Sequence, residues 1–375
     1  MPEVKYTLSI DGAPAASDLL QAIQQIEVED HANMADMMRL RVTIGIKDGC
    51  SGWSFVDDDI FTRLTKLKIT VAVGSGRSET LMNSYVIETN ANYANQPGSS
   101  VLNVVAMDPT VLMNLEEKVK AWPNMSDSEI ASAIFSGPEY KFTPIVDDVS
   151  WKRQENDVTV MQRGTDIQFL QQLAHRNGFE VFVETNGATG IVEGHFHAPR
   201  LDDPSQGVLS VNMRDATNVN SFNARFDMLR PATAEASNLD DGERESQQAQ
   251  SSSARETTLG RSTTLDTSRP RKVLPSQTGL VRAGELQTLT QAITDRSSLA
   301  ITADGELNTV AYGGVIRAKR KITVRGAGVY SGEYYVERVH HVFTGDSYSQ
   351  GFTLRRNATG LSGRESFVEN TALTA

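Results

Sequence analysis

Apolar and polar residues alternate through much of the first hundred positions. Lys5-Tyr6-Thr7-Leu8-Ser9-Ile10 alternates and stops at Asp11-Gly12, a pair suited to a turn. Met38, Leu40, Val42 and Ile44 alternate with Arg39, Arg41 and Thr43, which predicts one buried and one wetted face. Leu67, Ile69, Val71 and Val73 repeat the pattern before Gly74-Ser75-Gly76, and apolar strands follow at Tyr85-Val86-Ile87 and over 101–106. Short strands separated by turn residues predict a small barrel or sandwich over residues 1–115.

From about residue 116 the period changes. Ser126-Asp127-Ser128-Glu129 is a capping box ahead of Ile130, Ala133 and Ile134, so a short helix is expected there. A second helix, Thr165 to Asn177, has both ends written into the sequence. Thr165 suits the N-cap, Gln168 can return the capping hydrogen bond, and Asp166 sets negative charge at the positive end of the helix dipole. Phe169, Leu170, Leu173 and Ala174 make its apolar stripe. Gly178 suits the left-handed position past its end, Phe179-Glu180-Val181-Phe182-Val183 then alternates as a strand, and Asn186-Gly187 predicts a hairpin turn. Residues 116–204 are therefore expected to form a mixed α/β domain.

Strands return at Val208-Leu209-Ser210-Val211, at 221–226, and around Ile322, Val336 and Phe352. Each set alone has too few strands to cover its edges, so residues 205–236 and 305–357 are expected to build one second barrel together. Between them, residues 237–304 read as an insertion. The run 240–253 has no aromatic or β-branched residue and is expected to be an exposed loop. A helix is expected near Gly284 to Ala303, with Leu286, Leu289, Ile293 and Leu299 as its apolar face, and 358–375 reads as a tail. The expected class is α+β, mainly β.

The 375 residues suffice for two or three domains, each with its own core. A net charge of -11 argues against nucleic-acid specificity. A single cysteine, Cys50, excludes an internal disulfide and a cysteine zinc cluster. Met1-Pro2-Glu3-Val4-Lys5 lacks the pattern of a signal peptide, and no stretch approaches a membrane span. Synthesis in the cytoplasm without membrane insertion is expected.

Candidate chemistry is sparse. Gly326-Ala327-Gly328-Val329-Tyr330-Ser331-Gly332 has the wrong spacing for a dinucleotide loop and precedes a strand rather than a helix. His195 and His197 share a strand face and could share a metal, yet no acidic or thiolate partner stands out nearby at ligand spacing. The side chains of His340 and His341 should point to opposite faces. Asp57-Asp58-Asp59 and Asp147-Asp148 lack the spacing of a calcium loop and read as solvated turns. No Gly-x-Ser-x-Gly elbow is present. Arg317, Lys319, Arg320, Lys321 and Arg325 read as the wet face of a strand, or as a contact with an acidic partner. No catalytic, cofactor or metal residue is assigned.

Two segments carry a resemblance. The first is Gln162, Thr165, Asp166, Phe169, Leu170, Leu173, Ala174, Gly178 and Phe179; the second is Gly332, Tyr335, Val336, His340, Phe343, Tyr348 and Phe352. In that order they resemble the phage late control protein D family, which includes baseplate hub proteins of contractile tails and the N-terminal part of type VI secretion spike proteins. Asp108 after an apolar strand and Asp127 opening a helix extend the likeness. The resemblance implies two tube-protein-like β-barrel domains plus a mixed α/β domain, assembled as a homotrimer. Such a hub joins a sixfold inner tube or tube-initiator protein to a threefold spike protein and meets baseplate wedge components, within a phage tail or injection particle. No glycine-rich spike repeats occur, so the spike is expected to be a separate protein. The alternatives are a tail-associated cell-wall or glycan hydrolase, which needs a placed carboxylate pair or a metal, and a carbohydrate-binding sandwich, which the 3 Trp residues support poorly.

Overall fold

The computed structural model describes residues 4–74, 78–149, 151–152, 159–187, 189–239, 246–266, 268–275, 283–345 and 347–367. The chain is mainly β, with large antiparallel sheets and few helices. Its N-terminal part contains β1 (Val4–Ile10), β2 (Ala13–Pro14), α1 (Ser17–Ala22), β3 (Ile23–His31), β4 (Met37–Thr43), β5 (Lys66–Val73), β6 (Glu79–Asn92) and β7 (Val101–Met107). These strands run β3-β4-β7-β6-β5-β1-β2 through hydrogen-bonded neighbours. Ile26 and Val28 of β3 meet Leu8 of β1 in the same core, so this part of the sheet curls round on itself. Met38, Leu40 and Val42 point into that core as their alternation predicts, while Arg39 and Arg41 stay exposed.

The middle part contains β8 (Glu117–Trp122), α2 (Asp127–Phe135), β9 (Thr143–Val146), β10 (Val160–Thr165), α3 (Asp166–Asn177), β11 (Glu180–Thr185) and β12 (Val192–His197). Both capping boxes form: Ser126 with Glu129 on α2, and Thr165 with Gln168 on α3. Gly178 adopts φ 75, the left-handed position anticipated past α3. Phe169, Leu170, Leu173 and Ala174 pack with Ile130, Phe135 and Phe196 in a second core. Gly194 of β12 lies so close to α2 that a Cβ there would sit 2.4 Å from the Phe135 ring. The β11–β12 hairpin closes through Asn186 N–H to the Ile191 carbonyl at 2.8 Å, a longer loop than the Asn186-Gly187 pair alone suggests. Residue 188 within it lies outside the described residues.

The last part contains β13 (Val208–Ser210), β14 (Val219–Phe226), β15 (Ala232–Leu239), β16 (Ser246–Ser251), β17 (Ser262–Thr263), β18 (Arg271–Val273), α4 (Ala283–Ser298), β19 (Ile301–Leu307), α5 (Thr309–Tyr312), β20 (Lys321–Arg325), β21 (Gly332–Thr344), β22 (Ser347–Arg356) and β23 (Ala358–Thr359). β14 pairs with β19, and β13 with β20, so strands from both sides of the intervening segment lie in one sheet around a third core. The buried Asn218 bridges β13 to β14 with its side chain, accepting from Ser210 N–H at 2.7 Å and donating to the Val208 carbonyl at 2.9 Å. One strand then unites everything. β21 pairs with β20 through Gly332–Tyr335 and with β3 through Arg338–Phe343, making a single 13-stranded sheet that spans both β-rich parts.

Four expectations need correction. The polar run is not simply an exposed loop: β16 pairs with β15, β18 flanks them, and Ala236 and Ala249 pack on Leu286 of α4. Alanine and serine suffice for a strand where a helix lies close above it; residues 240–245 lie outside the described residues. The helix ends at Ser298 and Ile301 begins a strand. Besides Leu286, that helix buries Glu285, Thr290, Ala292, Thr294, Asp295 and Ser298, rather than the full apolar set expected. Finally, the expected tail begins inside the structure, since Ala358 is buried and β23 pairs with β17; residues 368–375 lie outside the described residues. Among the described residues no helix is long and apolar enough to cross a membrane.

Candidate functional site

The basic run expected on a wet strand face turns inward and becomes the junction of the molecule. Arg317, Lys319 and Lys321 are all buried, and only Arg320 of that stretch is exposed. Lys319 takes φ 65, which swings its chain into the gap between the β-rich parts. Its Nζ donates to Asp30 at 2.7 Å and to both oxygens of Asp36 at 2.9 and 3.0 Å. Arg317 Nε donates to Asp30 at 2.9 Å, and its Nη1 donates to the Thr80 carbonyl at 2.8 Å. The Asp36 N–H donates to Asp108 at 2.7 Å, and Asp108 caps the following turn by accepting from Thr110 N–H at 2.8 Å. Lys319 also lies 5.1 Å from the Phe182 ring centre, so the cluster touches the α/β part as well.

Three buried carboxylates around two buried cations leave one negative charge in excess. Burial alone would raise Asp30, but Lys319 and Arg317 outweigh it and hold its carboxyl well below the usual carboxylate range. Asp36 shares Lys319 yet goes the other way: burial, reinforced by Asp30 and Asp108, pushes it up to about 7. The two directions agree physically, because a proton retained at Asp36 restores neutrality. Close by, burial pushes Glu180 of β11 up to about 7, opposed by the hydrogen bond it accepts from Tyr335 of β21.

The residues that carried the resemblance fall into three places. Gln162 and Asp166 belong to a network under α3: Trp122 donates to Gln162 at 3.1 Å, and Gln162, Tyr140 and Lys118 donate to Asp166 at 2.6, 2.7 and 2.8 Å. Thr165 caps α3, Phe169, Leu170, Leu173 and Ala174 fill its core, and Gly178 with Phe179 ends it. Phe343 and Tyr348 stack at 4.2 Å within the first core, while Val336 and Phe352 lie in the third, so the β21–β22 hairpin is anchored in both. Gly332 begins that strand against the buried Arg356. Of the two histidines, His341 is buried and bonded to Tyr348 at 2.8 Å, whereas His340 lies on the other face beside Glu27. Of His195 and His197, read as a pair without an acidic partner, His195 in fact has Glu184 and Glu193 beside it.

Sequence reasoning missed Asp30, Asp36 and Glu180. A signal existed for Asp30: it follows Ile26 and Val28 at the inward period of β3, where a lone carboxylate needs a buried cation.

This architecture is shared with tail proteins of phages and of type VI secretion. A tail protein from Neisseria meningitidis is similar with a TM-score of 0.64 at 12% identity, covering 94% of this chain and 97% of that one. The 43 kDa tail protein of a Shewanella oneidensis prophage gives 0.63 at 14% identity, covering 94% and 98%. An E. coli component of the type VI secretion system, described as structurally similar to bacteriophage tail proteins, gives 0.55 at 12% identity, covering 96% and 80%. At such identities the likeness establishes the fold. By sequence the chain belongs to the family described as the Alg8 N-terminal domain, which matches residues 2–345. No curated protein matches it.

Proposed function

We propose that this chain is the structural hub of a contractile tail or tail-like injection particle, a homotrimer joining a sixfold inner tube to a threefold spike, as late control protein D is understood to do. The observation that carries the reading is the continuous sheet wrapped around two cores, in a fold shared with tail proteins over nearly the whole chain. Each β-rich part contributes six principal strands, β3-β4-β7-β6-β5-β1 and β14-β19-β22-β21-β20-β13. Three copies then present six similar units to a sixfold tube and a threefold arrangement to a spike. The buried ionic junction supports this role, since it holds the two units in one fixed relation. The role is one of positioning, without a catalytic step. Tube, spike and wedge proteins are the partners it implies.

Cryo-electron microscopy of the assembled particle tests the proposal. Three copies in a ring between tube and spike are expected; a single copy, or six copies of this chain, would overturn it.

A further inference from the structure

One side-chain cluster in the α/β part is unused by the hub reading and independent of it. β11 and β12 form an antiparallel hairpin in which Glu184 lies directly opposite Glu193, and Phe182 opposite His195. Strand alternation puts Glu184, Glu193, His195 and His197 on one face, away from Phe135 and the second core. Like charges directly opposite one another on a sheet are unfavourable. Here the ring of His195 stands between them.

The hydrogen bonds decide where the protons sit. His197 Nδ1 lies 2.8 Å from the Ala198 carbonyl, which can only accept, so His197 donates there and its Nε2 carries a lone pair. His195 Nδ1, 3.1 Å from that Nε2, must then be the donor, and the lone pair of His195 falls on Nε2. That nitrogen is buried and has no hydrogen-bond partner, in a residue only 7% exposed. It faces Glu184 Oε1 and Glu193 Oε2, each at 3.6 Å. This is too long for a hydrogen bond. It is close to the edge of about 3.4 Å that separates two ligands held at about 2.1 Å around a tetrahedral ion. All three ligand atoms lie within 4.8 Å of one another.

We propose that Glu184, Glu193 and His195 bind one divalent transition-metal ion, with zinc the best-matched probe. Two carboxylates and a neutral imidazole form a borderline donor set that suits such an ion, and they offset its charge. His197 acts as the outer-shell acceptor that fixes the ring and tautomer of His195. Phe182, stacked on His195 at 4.4 Å and 9°, holds the same ring from below. Asn186 donates to Glu193 Oε1 at 3.0 Å, leaving Oε2 as the ligand. Of the nearby cations, Lys319 is engaged by Asp30 and Asp36 and Arg200 by Asp147 at 2.7 Å, while Arg320 is exposed to solvent. Three protein ligands leave a fourth position for water or for a group from a partner. The ion would pin the hairpin beside the junction, since Glu184 also lines the small cleft shared with Asp36 and Arg317.

The test uses the untagged full chain, stripped with chelator and titrated with Zn²⁺ by calorimetry, with bound metal counted by mass spectrometry. One zinc per chain is expected, with a rise in Tm and an absorption-edge spectrum showing a single imidazole among oxygen ligands. The Glu184→Gln/Glu193→Gln double variant should lose at least tenfold in affinity and lose the Tm rise. Both side chains are partly exposed, so this variant should fold; if circular dichroism shows otherwise, the two single variants are read instead. Zinc binding that is absent in the wild-type chain, or unchanged in these variants, would overturn the proposal.

Discussion

Lys319 is the residue on which the three parts of the molecule converge, and its sequence context gave no warning of that. Flanked by Arg317, Arg320 and Lys321, it reads as one of several solvated charges. Its burial against Asp30 and Asp36 means that removing it leaves two carboxylates without their shared cation. Lys319→Met is expected to destabilise by about 3–5 kcal/mol, the usual cost of breaking a buried ion pair on one side. Urea denaturation checks this, and a shift no larger than that of Arg320→Met would contradict it. The same cluster sets the pH response. Asp36 and Glu180 have folded values of about 7, above those of an unfolded chain, so from about pH 4 to 7 the native state binds more protons. Their contribution therefore falls as pH rises through that window. Asp30 acts oppositely: its stabilisation is present above the unfolded carboxylate value and is lost as pH falls through the folded one. Maximal Tm is expected in mildly acidic buffer and a lower Tm near pH 8, with a shallower slope in Asp36→Asn. A Tm that climbs steadily to pH 8 would refute this assignment.

At the scale of elements, α3 was the most legible part of the chain because its signals are local. Caps, dipole charge and a 3.6-residue stripe all lie within one short stretch of sequence. Leu173→Ala, which empties a buried site 2% exposed, should cost about 2–5 kcal/mol in chemical denaturation. A value near that of a surface leucine would show that the core there is loose. Strand β3 was illegible by comparison: glutamates and Asp30 dilute its apolar alternation, and its pairing with β21 joins residues three hundred positions apart along the chain. The β15–β16 pair was misread for a related reason. Its inward residues are alanines, too small to register as a core until α4 lies over them. Deleting residues 246–253 would uncover Leu286 and is expected to lower Tm by several degrees, as limited proteolysis and a thermal melt would register; an unchanged melt would restore the view of this run as dispensable.

For the whole molecule, topology rather than composition governs behaviour. β13 and β14 lie before the inserted segment, while their partners β20 and β19 lie after it. A chain cut at residue 236 should therefore leave both fragments insoluble when expressed separately, and the two should recover solubility when co-expressed. Independent soluble folding of either fragment would show that the shared sheet is not needed. The long β21 strand makes the same point, since it serves both β-rich parts at once.

The sequence by itself determined the local elements: two capped helices, most strands of the N-terminal part, the glycine that ends α3, and the demand of the late strands for partners. These depend on neighbours within a few positions, and the chain states them directly. Only the tertiary structure decided which charges are buried, which strands bridge the parts, and that Glu184 stands opposite Glu193 with His195 between them. Those outcomes depend on register and on contacts between residues far apart in sequence, and a linear pattern of polar and apolar positions is the same whether a charge meets water or a buried partner.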